Sequence, residues 1–254
     1  MKPETPNHSQ ETTDFGFKTI PLTEKISAVK SVFNRVAPKY DLMNNVMSMG
    51  VHHLWKHEFL NMLNPRENSR LLDVAGGTAD ISLRFLRKTQ TGHATVSDIN
   101  ASMLSEGHDR LVDANMIGRF ECVTANAEQL PFPDNHFDYY TISFGIRNVT
   151  DRLKALKEAY RVLKPGGRFL CLEFSPTPNS LVKIPYDFYS FKVIPQLGEW
   201  IAGDRDSYQY LVESIRMFPS PQHFANLIQE ASFKQVQFRS LTGGIVAIHS
   251  GWKV

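Results

Sequence analysis

The sequence predicts a single α/β domain built around a central, mostly parallel sheet. Between residues 70 and 175, short apolar runs alternate with longer segments of helical period. The apolar run 71–75 empties into Gly76-Gly77-Thr78-Ala79-Asp80, small residues that turn a strand into a helix. The 254 residues, 42% hydrophobic and 21% charged, suit one large globular domain.

Residues 1–22 read as a polar, disordered tail ending near Pro21. The domain, 23–254, opens with a helix on which Ile26, Val29, Phe33 and Val36 share a face, stopped by Pro38. A second helix is expected over 52–63, closed by Asn64-Pro65. Then come strand 71–75, helix 81–88, strand 94–98, helix 102–114 and strands 119–124 and 137–144. Helix 151–163 follows, with Lys164-Pro165-Gly166-Gly167 as its stop, and then strand 168–174. Right-handed crossovers turn this alternation into a parallel sheet. Residues 175–205, rich in proline and aromatics such as Pro176, Tyr186, Phe188 and Trp200, break the pattern and read as an insertion forming a lid or ligand wall. Helices are expected over 207–217 and from Ser220-Pro221, a cap followed by proline at the first helical position. Strands 235–241 and 244–250 form a closing hairpin around Thr242-Gly243-Gly244.

A net charge of +2, with basic residues spread along the chain, argues against nucleic acid as a partner. Cys122 and Cys171 read as buried thiols of a reducing compartment. Neither has histidines at ligand spacing, and His53 with His57 makes half a metal site at best, so no metal is expected. The first ~20 residues are polar and partly acidic, unlike a targeting segment, and no run of ~18 apolar residues occurs. A cytoplasmic protein able to touch a membrane is expected.

The glycine-rich loop carries the chemistry. It lacks the G-x-G-x-x-G spacing of a dinucleotide site and the Lys-Ser/Thr of a phosphate loop. What remains is an acidic residue in the strand, Asp73, and a turn in which Gly77 admits a ligand to the backbone. Asp73 and Thr78 suit a zwitterionic amino-acid group better than a phosphate. Asp98 ends the next strand ~20 residues later, where a carboxylate accepts hydrogen bonds from ribose hydroxyls. Asn126 and Ala127 follow the third strand and can read a base edge, and Ser143 opens the loop after the fourth. All lie at carboxyl ends of strands expected to be parallel, where open α/β sheets bind ligands.

Two long blocks take the argument further: Tyr40-Asp41-Leu42-Met43-Asn44 continuing to Ser48, His52 and Trp55, and Arg161-Val162-Leu163-Lys164-Pro165-Gly166-Gly167 ending in Glu173-Phe174-Ser175. With 73–80, 126–134 and 143–148 they resemble the class I S-adenosylmethionine methyltransferases, and more closely the ubiquinone/menaquinone biosynthesis C-methyltransferase family, over residues 23–254. The resemblance implies a Rossmann-like, seven-stranded sheet with a C-terminal antiparallel hairpin and N-terminal helices. It implies S-adenosyl-L-methionine held by Thr78, Asp98, Asn126, Ala127 and Ser143, to which the loop argument adds Asp73 and Gly77. It also implies methylation of a ring carbon of a polyprenyl benzoquinol or of demethylmenaquinol. Asp187, Lys192 and Glu199 interrupt the insertion, which argues against a membrane span but lets it rest on the surface of the inner membrane, and a homodimer or quinone-biosynthesis complex is the expected assembly. The chain departs from the family at Ala79, where glycine is common, and alanine reaches positive φ only at a cost.

A ring carbon becomes a nucleophile when an adjacent phenol loses its proton, so the site needs a base or a cation that stabilises phenolate. Arg147, just beyond a strand end, is the expected catalytic residue. It stays protonated, and so would act on the phenol electrostatically or through a water. Tyr40, Asn44 and His52 are expected to contact the quinol head. A methyltransferase for another lipid or small molecule, and a catalytically silent scaffold, are the competing readings.

Overall fold

The computed structural model describes residues 12–37, 40–176 and 179–254. The chain opens with a hairpin of β1 (Thr12–Phe15) and β2 (Lys18–Pro21). Three helices follow: α1 (Leu22–Val36), α2 (Tyr40–Ser48) and α3 (His52–Leu63). The α/β alternation runs β3 (Arg70–Val74), α4 (Asp80–Lys88), β4 (His93–Asp98), α5 (Ala101–Asp113), β5 (Phe120–Thr124), β6 (Phe137–Ser143), α6 (Arg152–Val162) and β7 (Leu163–Phe174). After it come α7 (Ser180–Phe188), α8 (Ile194–Ala202), α9 (Arg205–Met217), α10 (Pro221–Glu230), β8 (Lys234–Leu241) and β9 (Val246–Trp252).

The seven strands of the main sheet lie in the order β5-β4-β3-β6-β7-β9-β8. All neighbours are parallel except at β9, which runs antiparallel to both β7 and β8. Strand order reverses at β3, whose neighbours β4 and β6 come from opposite halves of the alternation, and open α/β sheets bind ligands at such switch points. Alternate residues enter opposite core layers: Leu71, Leu170 and Leu172 join one cluster, and Leu72, Val74, Phe169 and Cys171 the other. Burial on both faces explains why these strands read as unbroken apolar runs. Local caps fix several helix starts. The Asn100 side chain accepts from the amides of Ser102 and Met103, that of Asp151 from Lys154, and that of Ser220 from His223.

Three sequence expectations change. Residues 12–21, read as part of a disordered tail, form the β1–β2 hairpin, while 1–11 lie outside the described residues. The hairpin is held by tertiary contacts: Phe15 stacks on Tyr210 of α9 at 4.2 Å, and the Phe17 amide donates to Glu213. Helix α2 fills the stretch between Pro38 and His52 that the periodicity left unassigned. Lys164-Pro165-Gly166-Gly167 follows the helix end at Val162, but it lies inside β7, across an irregularity in the β6 register. The aromatic insertion is helical, α7 joined to α8 through a π-turn at 189–193. Gly198 lets α8 lie directly on α9, since a Cβ there would come within 2.4 Å of the Tyr208 ring.

Asp14 of the hairpin pairs with two cations, Arg152 of α6 at 3.8 Å and the buried Lys25. Lys25 of α1 is 1% exposed, and its ammonium reaches Asp14 of β1 at 3.5 Å and Thr13 at 3.3 Å. Burial pulls the Lys25 pKa below its usual value, and Asp14 opposes that shift. Removing Asp14 leaves a buried cation short of its counter-charge. Asp14→Ala is therefore expected to cost about 1–3 kcal/mol in urea unfolding, and Lys25→Met on that background to recover most of it. An unchanged midpoint for Asp14→Ala would show that the pairing contributes nothing.

Candidate active site

Two cavities open at the carboxyl ends of β3, β4 and β6 and share the walls Ala75 and Phe144. The larger, about 790 Å³, lies between these strand ends and α1. Its polar rim includes Asp98, Asn126, Glu128 and Asn148, with Lys30 on the helix side, and Ile26, Val29, Phe33, Met103 and Val149 supply apolar walls. The smaller, about 320 Å³, is bordered by Lys56, Asp73, Gly76, Thr78, Asp80 and Ser143.

The loop between β3 and α4 separates and shapes the two. Asp73 is buried, and its carboxylate accepts from the Ser82 hydroxyl on α4 and the Thr141 hydroxyl on β6, both at 2.8 Å. Burial raises its pKa to about 6 against these hydrogen bonds. Asp98 receives the Gly77 amide at 3.0 Å and the Asn100 amide at 2.9 Å. Burial raises Asp98 to about 6 as well, and its backbone hydrogen bonds offset part of the rise. Helix α5 passes close behind the loop: a Cβ on Gly107 would sit 2.5 Å from the Gly77 carbonyl oxygen. Ala79 meets the expectation that this position needs a positive φ. Ala79 takes φ 59°, fully buried at the start of α4, which costs about 1–2 kcal/mol for a residue with a Cβ.

Sequence-predicted residues divide by place. Gly77, Asp98, Asn126 and Ala127 line the larger cavity, and Asp73, Thr78 and Ser143 the smaller. Asn126 also closes a local turn by accepting the Glu128 amide at 3.0 Å. Asn44 and His52 are buried among the N-terminal helices and border neither cavity; His52 Nε2 faces Asn45 Oδ1 at 3.0 Å. Tyr40 begins α2, but its side chain lies outside the described residues. The sequence reading passed over Lys56 and Asp80, which pair at 2.7 Å beside the loop. Burial raises the Asp80 carboxyl, but Lys56 and Arg84 outweigh it and hold the pKa down at about 2. No local pattern marks Lys56, because its partner belongs to the following helix.

Arg147 departs most from expectation. It is 3% exposed and borders neither cavity. Its guanidinium meets Glu173 at 2.7 Å, donates to the Phe144 carbonyl at 2.7 Å and reaches Ser214 at 3.3 Å. Glu173 compensates its charge within the fold. Arg147 clamps the 144–148 turn, whose residues Phe144 and Asn148 do face the larger cavity. The Tyr210 hydroxyl supports the same turn by donating to Asn148 at 2.9 Å.

Removing one partner of a buried pair strands the other charge. Arg147→Met is expected to cost about 3–5 kcal/mol in denaturant unfolding, and Arg147→Met with Glu173→Gln to recover most of that loss. Equal loss in single and double variants would mean that the pair does not act as a unit.

The chain is similar to known proteins along nearly its whole length. The model of the ubiE/COQ5 methyltransferase family matches residues 21–253. A ubiquinone/menaquinone biosynthesis C-methyltransferase from Roseobacter denitrificans is 56% identical over 97% of this chain and 98% of its own. A mitochondrial 2-methoxy-6-polyprenyl-1,4-benzoquinol methylase from Dictyostelium discoideum is 53% identical over 98% of this chain and 88% of its own. Among solved structures, a SAM-dependent methyltransferase from Thermotoga maritima superposes with a TM-score of 0.64 at 19% identity, over 88% of this chain and 99% of that one, a likeness of fold. With a family match across nearly its whole length, the chain belongs to the ubiE/COQ5 methyltransferase family and is an S-adenosylmethionine-dependent methyltransferase.

Proposed function

We propose that this enzyme methylates a ring carbon of a polyprenyl quinol in quinone biosynthesis. The similarity to the Roseobacter and Dictyostelium enzymes over nearly full length carries the reading. S-adenosylmethionine fits the paired cavities on two observations. The Asp98 carboxylate borders the larger cavity as an acceptor for ribose hydroxyls, and the buried Ser143 hydroxyl, without a partner among the described residues, borders the smaller. Bound there, the cofactor supplies an electrophilic methyl group on a sulfonium.

On this reading Asp98 holds the ribose, while Asn126 and Ala127 border the base. Asp73, Gly77, Thr78 and Ser143 shape the amino-acid end. The shared walls Ala75 and Phe144 mark where the two ends meet, and the acceptor ring belongs beside them. Methyl transfer from a sulfonium needs alignment more than activation, so most of the protein's work is positioning. Arg147 is a positioning residue that acts through the Phe144–Asn148 turn.

The proposal extends to where the acceptor comes from. A polyprenyl quinol partitions into a bilayer, and no helix among the described residues is long and apolar enough to cross one. The insertion instead presents exposed Ile184, Phe188 and Trp200, the last 89% exposed, with exposed Lys183 and Lys192 nearby in sequence. Helix α2 packs beside α8 and adds exposed Leu42, and the turn that follows it adds Met49. Aromatic and aliphatic side chains flanked by lysines suit a lipid surface carrying anionic headgroups.

Three outcomes test this reading. Labelled S-adenosylmethionine offered with a reduced methoxy-polyprenyl-benzoquinol or with demethylmenaquinol is expected to label a ring carbon of at least one. No transfer to either, in protein that binds the cofactor, would overturn the acceptor. Cofactor affinity is expected to fall as pH drops through about 6, because protonating Asp98 removes a charged acceptor. Asp98→Asn should bind about 10–100-fold more weakly at pH 8 and lose the Asp98 share of that pH dependence, leaving the share of Asp73, whose pKa is also raised to about 6. Phe188→Asp with Trp200→Ala should reduce sedimentation with anionic phospholipid vesicles about 10-fold or more without changing cofactor affinity. Unchanged sedimentation would rule this face out.

A further inference from the structure

The smaller cavity poses an electrostatic problem. Two of the carboxylates bordering it, Asp73 and Asp80, would repel an incoming carboxylate. Asp73 is engaged with the Ser82 and Thr141 hydroxyls. Asp80 is shared by two cations, Lys56 at 2.7 Å and Arg84 at 3.0 Å. That trio carries one net positive charge, and of its two cations Lys56 borders the cavity.

Lys56 is 5% exposed, so its ammonium has left bulk water. Burying a lysine against one carboxylate is a poor way to gain stability, because desolvation cancels much of the attraction. Asp80 already has Arg84 one helical turn away. An ammonium has three donors, and Asp80 takes one of them. Two further donors, the Thr78 and Ser143 hydroxyls, belong to residues lining the same cavity as Lys56, and the Ser143 hydroxyl is buried without a partner among the described residues. This is a donor-rich pocket with a fixed cation, next to the cavity where Asp98 waits for the ribose.

We infer that Lys56, held in place by Asp80, receives the carboxylate of the cofactor's amino-acid moiety. The inference rests on the assignment of the paired cavities to S-adenosylmethionine. It gives α3 a direct role in cofactor binding, since Lys56 follows Trp55, which anchors the helix against Phe144 and Phe174. It also explains why Asp80 keeps two cations: with Arg84 as its second partner, the carboxylate stays compensated when Lys56 turns to the ligand.

Calorimetric titration with S-adenosylhomocysteine and with its decarboxylated analogue tests this without turnover. Wild-type protein is expected to bind S-adenosylhomocysteine about 10–100-fold more tightly than the analogue. Lys56→Met should lose about that factor toward S-adenosylhomocysteine and stay within about 3-fold toward the analogue, while Lys56→Arg retains most of the discrimination. Should Lys56→Met fail to fold, Lys56→Met with Asp80→Asn removes both charges and has to show the same selective loss. Equal weakening toward both ligands, or a wild type that does not discriminate between them, would overturn the role of Lys56. A wild type that binds neither would remove the cofactor assignment, and the inference with it.

Discussion

The carboxylate of Asp73 joins the parts of this enzyme that have to meet. It sits near the end of β3, at the switch point of the sheet, and ties together β3, α4 through Ser82 and β6 through Thr141. Because it is buried, those hydroxyls are what let it carry charge there at all. With the three elements joined, the chain leaving β3 has only a short path to α4. It takes left-handed turns at Ala75 and Ala79, as the loop after β6 does at Phe144. Non-glycine residues in that region cost about 1–2 kcal/mol each. They persist because the surroundings over-determine them: Gly107 brings α5 against the loop, and Arg147 grips the Phe144 carbonyl. Two of the three strained residues, Ala75 and Phe144, are the walls shared by both cavities.

Much of the family signature acts at one remove from the ligand. Arg161 reaches the carbonyls of Leu130 and Phe132 and the carboxylates of Asp134 and Glu158, so it fixes the 130–134 segment that follows the Asn126 turn. Trp55 donates to Thr242 in the closing hairpin and packs on Phe144 and Phe174, joining the N-terminal helices to the far end of the chain. Glu173 serves Arg147. These residues position the walls, and positioning is what transfer from a reactive sulfonium chiefly requires.

The cap made by α1–α3 and α7–α9 separates the enzyme from a bare sheet-and-helix core. It closes the larger cavity with α1 and supplies Lys56 to the smaller with α3. The same cap carries exposed Ile184, Phe188 and Trp200. One set of helices thus borders both cavities and carries this exposed apolar face.

The sequence by itself determined whatever depends on neighbours within a turn or two along the chain. The strands of the alternation, the 52–63 helix, the Ser220-Pro221 start and the closing hairpin follow from periodicity, caps and turn residues. The same logic put Gly77, Asp98, Asn126 and Ser143 at strand ends, which border the two cavities because strand ends in a parallel sheet converge by topology alone. Tertiary structure decided the rest. The first strands form because Phe15 finds Tyr210, and no local signal in 12–21 announces that partner. Arg147 owes its partner Glu173, 26 residues away, to the fold. Lys56 carries no signal in the sequence at all, because its partner Asp80 is brought to it by α4. A charged side chain's role depends on what neutralises it, and the folded chain chooses that neighbour across distances the local pattern does not reach.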